Sequence, residues 1–158
     1  MNNFEFVNGG TELLDSVQPL WEKLNKYHES KSIYFKDAFK NFTFETRKSK
    51  FINNEHIKVN VDLIKDTSAD LYIGYCISTL DKNLSGEIDS LFIDEKYHGF
   101  GLGDNLMKRA LLWLDSNHAV KKVIGVASGN EGVLDFYEHY GFYKRSVILE
   151  QKTEQIND

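Results

Sequence analysis

One cysteine and one proline stand in 158 residues. Cys76 alone can close no intrachain disulfide and can build no cysteine cage for zinc, and its apolar run Leu71–Ile77 reads as a strand holding a buried structural thiol. The five histidines are scattered, with no His-x-x-x-His pair or other ligand spacing, so no metal site is expected. Positive charge is not in excess. A formal net charge of −5 provides no broad surface for nucleic acid or anionic lipid, and makes a cationic small molecule the easier partner. No apolar run approaches membrane-spanning length, and the opening Met1-Asn2-Asn3-Phe4-Glu5-Phe6 lacks the basic and apolar regions of a signal peptide. No membrane association is expected, and the cytoplasm is the default address. Repeats and low-complexity linkers are also absent, which predicts one domain over 1–151 followed by a polar tail over 152–158.

What is present suits a packed domain: 41% hydrophobic residues, 27% charged residues, 11 Phe and 8 Tyr. A short strand is expected from Phe4 to Val7. Beyond Gly9-Gly10 and a candidate cap at Thr11, Leu13, Leu14, Val17, Leu20, Trp21 and Leu24 recur at helical steps, with Pro19 expected to end or kink the helix. Tyr34, Phe35, Phe39 and Phe42 suggest a second helix within Ser30–Lys50. Three strand-like runs follow, His56–Ile64, Asp70–Thr79 and Gly86–Ile93, whose short polar links suit an antiparallel meander. An amphipathic helix then carries Leu102, Leu106, Ala110 and Leu114 on one face. Val123–Ala127 reads as a buried strand, Val133–Tyr140 as a short helix stopped by Gly141, and Val147–Glu150 as a last strand.

Between the third run and the amphipathic helix lies His98-Gly99-Phe100-Gly101-Leu102-Gly103. Three alternate glycines let the backbone turn tightly with its N–H groups inward, and the helix that opens there adds the positive end of its dipole. Such a loop binds a diphosphate, or serves only as a strand-to-helix connection. A Gly-x-Gly-x-x-Gly fingerprint fails in both registers, because Asp104 or Leu106 falls on the last position. A Gly-x-x-x-x-Gly-Lys-Ser/Thr loop is absent from the chain.

The spacing His98-x-x-Gly101-x-Gly103 resembles the central motif of the GNAT superfamily of acetyl-CoA-dependent N-acetyltransferases: Arg or Gln, two residues, Gly, one residue, Gly or Ala. Leu91-Phe92-Ile93-Asp94-Glu95-Lys96-Tyr97 before it, and Asn130, Phe136-Tyr137 and Gly141-Phe142 after it, extend the resemblance over about 86–143. His98 departs from the motif, and Phe100 stands where many members carry Lys, so the cradle relies mainly on backbone N–H groups. The resemblance implies an α+β domain with a mostly antiparallel, twisted sheet of six to seven strands, about four flanking helices and a splay at the acetyl-CoA cleft. It further implies that acetyl-CoA is the cosubstrate, held by Leu91, Phe92 and Ile93 through their backbone, by the 98–104 loop (His98, Gly99, Phe100, Gly101, Leu102, Gly103, Asp104), and by Asn130, Phe136 and Tyr137. A homodimer is a further expectation from the family.

Acetyl transfer to an amine needs a base for the amine, a donor to the carbonyl oxygen and an acid for the departing thiolate. Tyr137 matches the tyrosine that protonates the thiolate in many members; the alternative is an aromatic core stripe of Val133, Phe136, Tyr137 and Tyr140. Regular strand alternation puts Glu87, Asp89, Leu91 and Ile93 on one face. Relatives carry a carboxylate at the position of Asp89 or nearer Glu87, so either is a candidate base, or a group that activates water or orients the amine. Asn130 either holds the coenzyme arm or caps the helix after it. The aromatics Tyr27, Tyr34, Phe35, Phe39 and Phe42 either line an amine pocket or pack in the core. The expected reaction is acetylation of a primary amine, small or polyamine-like, by direct attack in a ternary complex. Its rivals are a protein N-terminus or lysine as acceptor, and a non-catalytic acyl-CoA-binding module.

Overall fold

The structure is a computed structural model that describes residues 3–153. Runs of alternating and β-branched residues build five strands: β1 (Phe4–Gly9), β2 (Ile57–Asp66), β3 (Leu71–Asp81), β4 (Ser85–Ile93) and β5 (Lys121–Ile124). They lie in sequence order in one sheet, antiparallel from β1 to β4, with β5 parallel to β4. The tight links are fixed by carboxylates. Asp66 Oδ1 accepts from Ser68 N at 3.0 Å, and Asp81 Oδ1 accepts from Asn83 N and Ser85 N, each at 2.9 Å.

Five α-helices cover the sheet: α1 (Leu14–Lys31), α2 (Lys36–Asn41), α3 (Phe44–Ile52), α4 (Leu102–Ser116) and α5 (Leu134–Glu138). Pro19 lies inside α1 without ending it, because it is on the exposed face, where water takes over the carbonyl it cannot serve. The single helix expected over Ser30–Lys50 is two, broken at Phe42-Thr43. Thr43 is the N-cap of α3, its Oγ1 accepting from Thr46 N at 3.2 Å. Thr11 makes no such cap; it opens a short 3₁₀ turn, Thr11–Leu13.

Two cores result. On one face of the sheet, Leu102, Leu106, Met107, Ala110 and Leu114 of α4 pack on Ile64, Ile73, Cys76, Leu80, Ile88 and Ile93. On the other, Leu14, Val17, Leu20 and Trp21 of α1, with Phe44 and Phe51 of α3, pack on Val61, Leu63, Tyr75 and Ile77. Each buried large aliphatic side chain contributes about 1.5–3 kcal/mol. A polar cross-tie joins α4 to the sheet edge: Arg109 Nε donates to the buried Asp62 Oδ1 at 3.0 Å, and Asn8 Nδ2 donates to the same oxygen, also at 3.0 Å.

Three further expectations are corrected. The sheet has five strands among the described residues rather than six or seven. Val147–Glu150 forms no strand, since no neighbouring edge pairs with it, and Val147, Ile148 and Leu149 are 66%, 92% and 90% exposed. The regular alternation of β4 also fails. Ile77 faces Ser90 while Ser78 faces Ile88, so Asp89 is the extra residue of a β-bulge. Glu87, Asp89 and Ser90 therefore look toward α1 and α3, whereas Ile88, Leu91 and Ile93 look toward α4. Of the tail expected over 152–158, residues 154–158 lie outside the described residues. No helix among the described residues is long and apolar enough to cross a membrane.

Candidate active site

The glycine loop becomes a cradle through two left-handed residues. Gly99 has φ +90° and Gly101, the N-cap of α4, has φ +73°. L side chains adopt such angles rarely, and a Cβ built on either glycine would meet nothing within 4 Å. The space in front of them is thus open, and the first-turn N–H groups of a 15-residue helix have no intrahelical partner. That geometry fits a diphosphate. Gly103 faces the Phe136 ring, which a Cβ there would just touch at 3.4 Å, and this approach seats α5 against the start of α4.

Side chains of the loop are turned to other work. His98 Nε2 donates to the Ile93 carbonyl at 2.9 Å, which ties the loop to the end of β4. Phe100 packs edge-on against Phe4 at 5.7 Å, and Leu102 is buried in the α4 core. Asp104 accepts from Lys108 Nζ at 2.8 Å and from the Tyr140 hydroxyl. Lys108 and then Tyr140 hold its carboxyl below the ordinary carboxylate range. The loop therefore has backbone N–H groups to offer an anion, as the departures at His98 and Phe100 imply.

Beside the cradle the sheet opens. β5 pairs with β4 only as far as Ile88 with Ile124. Beyond that point residues 89–93 of β4 lose their neighbour on this side, with the Ile93 carbonyl taken by His98, and this open edge is the arrangement that accepts an added extended strand. In the mouth of the splay is a cavity of about 50 Å³ whose lining crosses the sheet: Leu24 and His28 from α1, Asp89 and Ser90 from the bulge, then Asn130 and Tyr137 on the far side. The end of α1 and the loop before α5 approach closely, so that a Cβ on Gly129 (φ +97°) would lie 2.4 Å from the Lys31 carbonyl oxygen.

Tyr137 and Asn130 thus meet in one place, with Phe136 packed 5.4 Å from Tyr137. Burial pushes the Tyr137 phenol up to about 12, so it remains a proton donor at neutral pH. Asn130 precedes the 3₁₀ turn Glu131–Val133 without a side-chain capping bond, and Glu131 accepts from Gly129 N at 2.9 Å, which fixes the loop ahead of the turn. Of the two carboxylates, Asp89 lines the cavity and Glu87 does not. Asp89 is 3% exposed and ion-paired through Oδ1 with Arg47 of α3, while its Oδ2 is buried without a partner. The buried Arg47 guanidinium is pulled down by desolvation, but Asp89 more than offsets this, and its pKa is raised.

Two of these groups escaped the sequence reading. Arg47 sits in the basic stretch Arg47-Lys48-Ser49-Lys50, a composition common at a solvated helix end. His28 carried a signal that was there to be read: it follows Leu24 by four and Trp21 by seven, a polar residue on the apolar stripe of α1. The aromatics offered as an amine pocket do not line the cavity. Tyr27 and Tyr34 are 43% and 67% exposed, Phe39 packs on His28, and Phe42 packs on Trp21. Cys76 is buried, and desolvation raises its thiol to about 12, which suits a structural residue.

The acetyltransferase (GNAT) family model matches residues 17–142. Over 72 residues, 46% of this chain, the sequence is 28% identical to an uncharacterised N-acetyltransferase of Methanocaldococcus jannaschii, and the match spans 32% of that protein. Among solved structures, a putative acetyl transferase from Pyrococcus furiosus shares the fold with a TM-score of 0.69 at 20% identity, covering 94% of this chain and 99% of that one. An aminoglycoside N-acetyltransferase in complex with CoA shares it with a TM-score of 0.65 at 12% identity, covering 96% of each chain. The family match begins inside α1, passes through the bulge, the cradle and the Tyr137 helix, and ends at Phe142, and on it this chain belongs to the GNAT family of acetyltransferases.

Proposed function

We propose that this acetyltransferase moves an acetyl group from acetyl-CoA to the primary amine of a small, cationic acceptor, with both substrates bound together. The observation that carries the reading is the continuity of three features. A side-chain-free anion cradle at the start of α4 leads to the open edge of β4, and that edge leads to a cavity holding Tyr137. Acetyl-CoA supplies an activated thioester; the residues described do the rest.

The N–H groups of the 99–104 segment hold the diphosphate, and the backbone of Leu91, Phe92 and Ile93 pairs with the pantetheine arm. The Asn130 amide, unused as a cap, steadies the same arm. Tyr137 gives its proton to the departing sulfur, a role its buried, neutral phenol suits. Asp89, pinned by Arg47, keeps one oxygen for the incoming ammonium and is preferred to Glu87, which lies outside the cavity lining. The negative balance of the chain favours a cationic acceptor such as a small amine or polyamine.

The test is an acceptor panel with acetyl-CoA, reading free thiol release, beside a thermal-shift titration with acetyl-CoA alone. The expected result is a ligand-dependent rise in Tm and turnover with at least one primary amine. Absence of any stabilisation by acetyl-CoA overturns the coenzyme assignment. Stabilisation without turnover across the panel leaves a binding module and overturns the catalytic one.

A further inference from the structure

Among the described residues, four buried side-chain polar atoms have no hydrogen-bond partner: His28 Nδ1, Tyr75 Oη, Asp89 Oδ2 and Ser90 Oγ. Three of those residues, His28, Asp89 and Ser90, line the same cavity. Leaving a polar group unpaired in a protein interior costs about 1–3 kcal/mol; the Ser90 hydroxyl has the Tyr75 phenol beside it, so the His28 and Asp89 atoms beside one void mark a place shaped for something that pairs with them.

The chemistry of the set narrows what that is. A carboxylate oxygen only accepts, a neutral imidazole has one accepting nitrogen, and a hydroxyl does either. An anion or a carbonyl leaves Asp89 Oδ2 unpaired. An ammonium group carries three donors and no acceptor, and matches all three. Size narrows it further. The cavity is about 50 Å³, whereas one water needs ~10–15 Å³, which leaves room for an ammonium head and the first carbons of an unbranched chain.

We propose that His28 is a catalytic residue of this enzyme: its Nδ1, with Asp89 Oδ2 and Ser90 Oγ, binds the acceptor as a primary ammonium and takes its first proton. The inference rests on the acetyl-transfer reading and adds to it the identity of the base and the shape of the acceptor's head. The proton balance closes. R–NH₃⁺ gives one proton to His28 Nδ1. The nitrogen lone pair forms the C–N bond to the acyl carbon as the C–S bond breaks, and Tyr137 protonates the sulfur. The second proton of the nitrogen replaces the one Tyr137 gave, and His28 passes the first to solvent.

Asp89 suits the binding part of this work better than the basic part. Its charge is already matched by Arg47, and its free oxygen is the acceptor that remains. Burial lowers the His28 pKa, which keeps its ring neutral and accepting at pH 7. The groups that face His28 are Asp89 of β4 with Arg47 behind it, the Phe39 ring of α2, and Tyr137 of α5 across the cavity.

The test uses the full chain with His28→Gln, which keeps size and polarity but cannot take a proton, and compares ethylamine with isopropylamine and dimethylamine. Wild type is expected to show an acidic limb in kcat/KM that His28→Gln lacks, with kcat at pH 7 lower by ~10²-fold or more and acetyl-CoA stabilisation unchanged. The branched and secondary amines are expected to be poor acceptors. If wild type turns over and His28→Gln keeps kcat within threefold and the same pH profile, the inference fails while acetyl transfer stands. If wild type binds acetyl-CoA without turnover, ¹⁵N shifts of His28 titrated with methylammonium chloride decide it. A shift that Asp89→Asn removes supports the ammonium site, and no shift overturns it.

Discussion

Replacing Arg47 by methionine keeps an unbranched stem but removes the cationic partner of Asp89, together with the guanidinium that lies over the Phe51 ring, its carbon 5.3 Å from the ring centroid. The Asp89 side chain is 3% exposed and cannot recover its charge from solvent, whereas Arg47 is 20% exposed, so water reaches one side of the pair. Breaking a buried pair from one end costs ~3–5 kcal/mol, and this partial access places the variant near the lower figure, ~3 kcal/mol. For a domain of this size a loss of ~3 kcal/mol lowers Tm by ~6–12 °C. Urea unfolding followed by far-UV circular dichroism measures the change directly, with the m-value checked for constancy. Adding Asp89→Asn removes the stranded charge and is expected to return ~2 kcal/mol of the loss without restoring acetyl transfer. An Arg47→Met variant within ~1 kcal/mol of wild type refutes the claim that this pair is buried and interdependent, as does a double variant no more stable than the single one.

Other outcomes follow from the same geometry. Gly101→Val places a side chain at φ +73° and into the open cradle; ~1–2 kcal/mol of stability is lost, and the acetyl-CoA thermal shift disappears. Burial keeps the Tyr137 phenol neutral up to about 12, against an ordinary 10.0. Its contribution to stability is therefore complete below about pH 10 and fades as pH climbs toward about 12. The slope of stability over that window should shrink in Tyr137→Phe, as read by unfolding midpoints at closely spaced pH. Gly129→Ala drives a Cβ to 2.4 Å from the Lys31 carbonyl oxygen. It is expected to displace the end of α1 or the loop that carries Asn130 and raise KM for the acceptor several-fold in a steady-state assay.

The cradle and the helix behind it were readable because their signals are local: glycines at fixed offsets, then an apolar stripe at helical period. The meander was readable for the same reason, since short polar links leave few ways to pair adjacent strands. The β4 faces were not. Whether Asp89 continues an alternation or interrupts it depends on how Ile77 and Ser78 register against it, and that is decided across the sheet rather than along the strand. The helix expected over Ser30–Lys50 breaks at Thr43, because a residue that weakens a helix interior is the one that starts the next helix. The run Val147–Glu150 has strand composition without a partner edge, and composition cannot supply one. Arg47 and His28 look like surface residues until α1 and α3 are laid on β4, which brings both to Asp89 or its cavity.

The extra residue in β4 places Asp89 and Ser90 shoulder to shoulder on one side of the sheet, while the aliphatic sequence resumes at Leu91 on the other. A regular strand must alternate and would send one member of that polar pair into the oily layer under α4. Polar function and aliphatic packing thus draw on consecutive positions without competing for them. Deleting Asp89 would heal the bulge into a regular strand, with Ile88, Ser90 and Leu91 alternating on the faces they already occupy, so the shape of the fold would survive and only the carboxylate beside the serine would be gone.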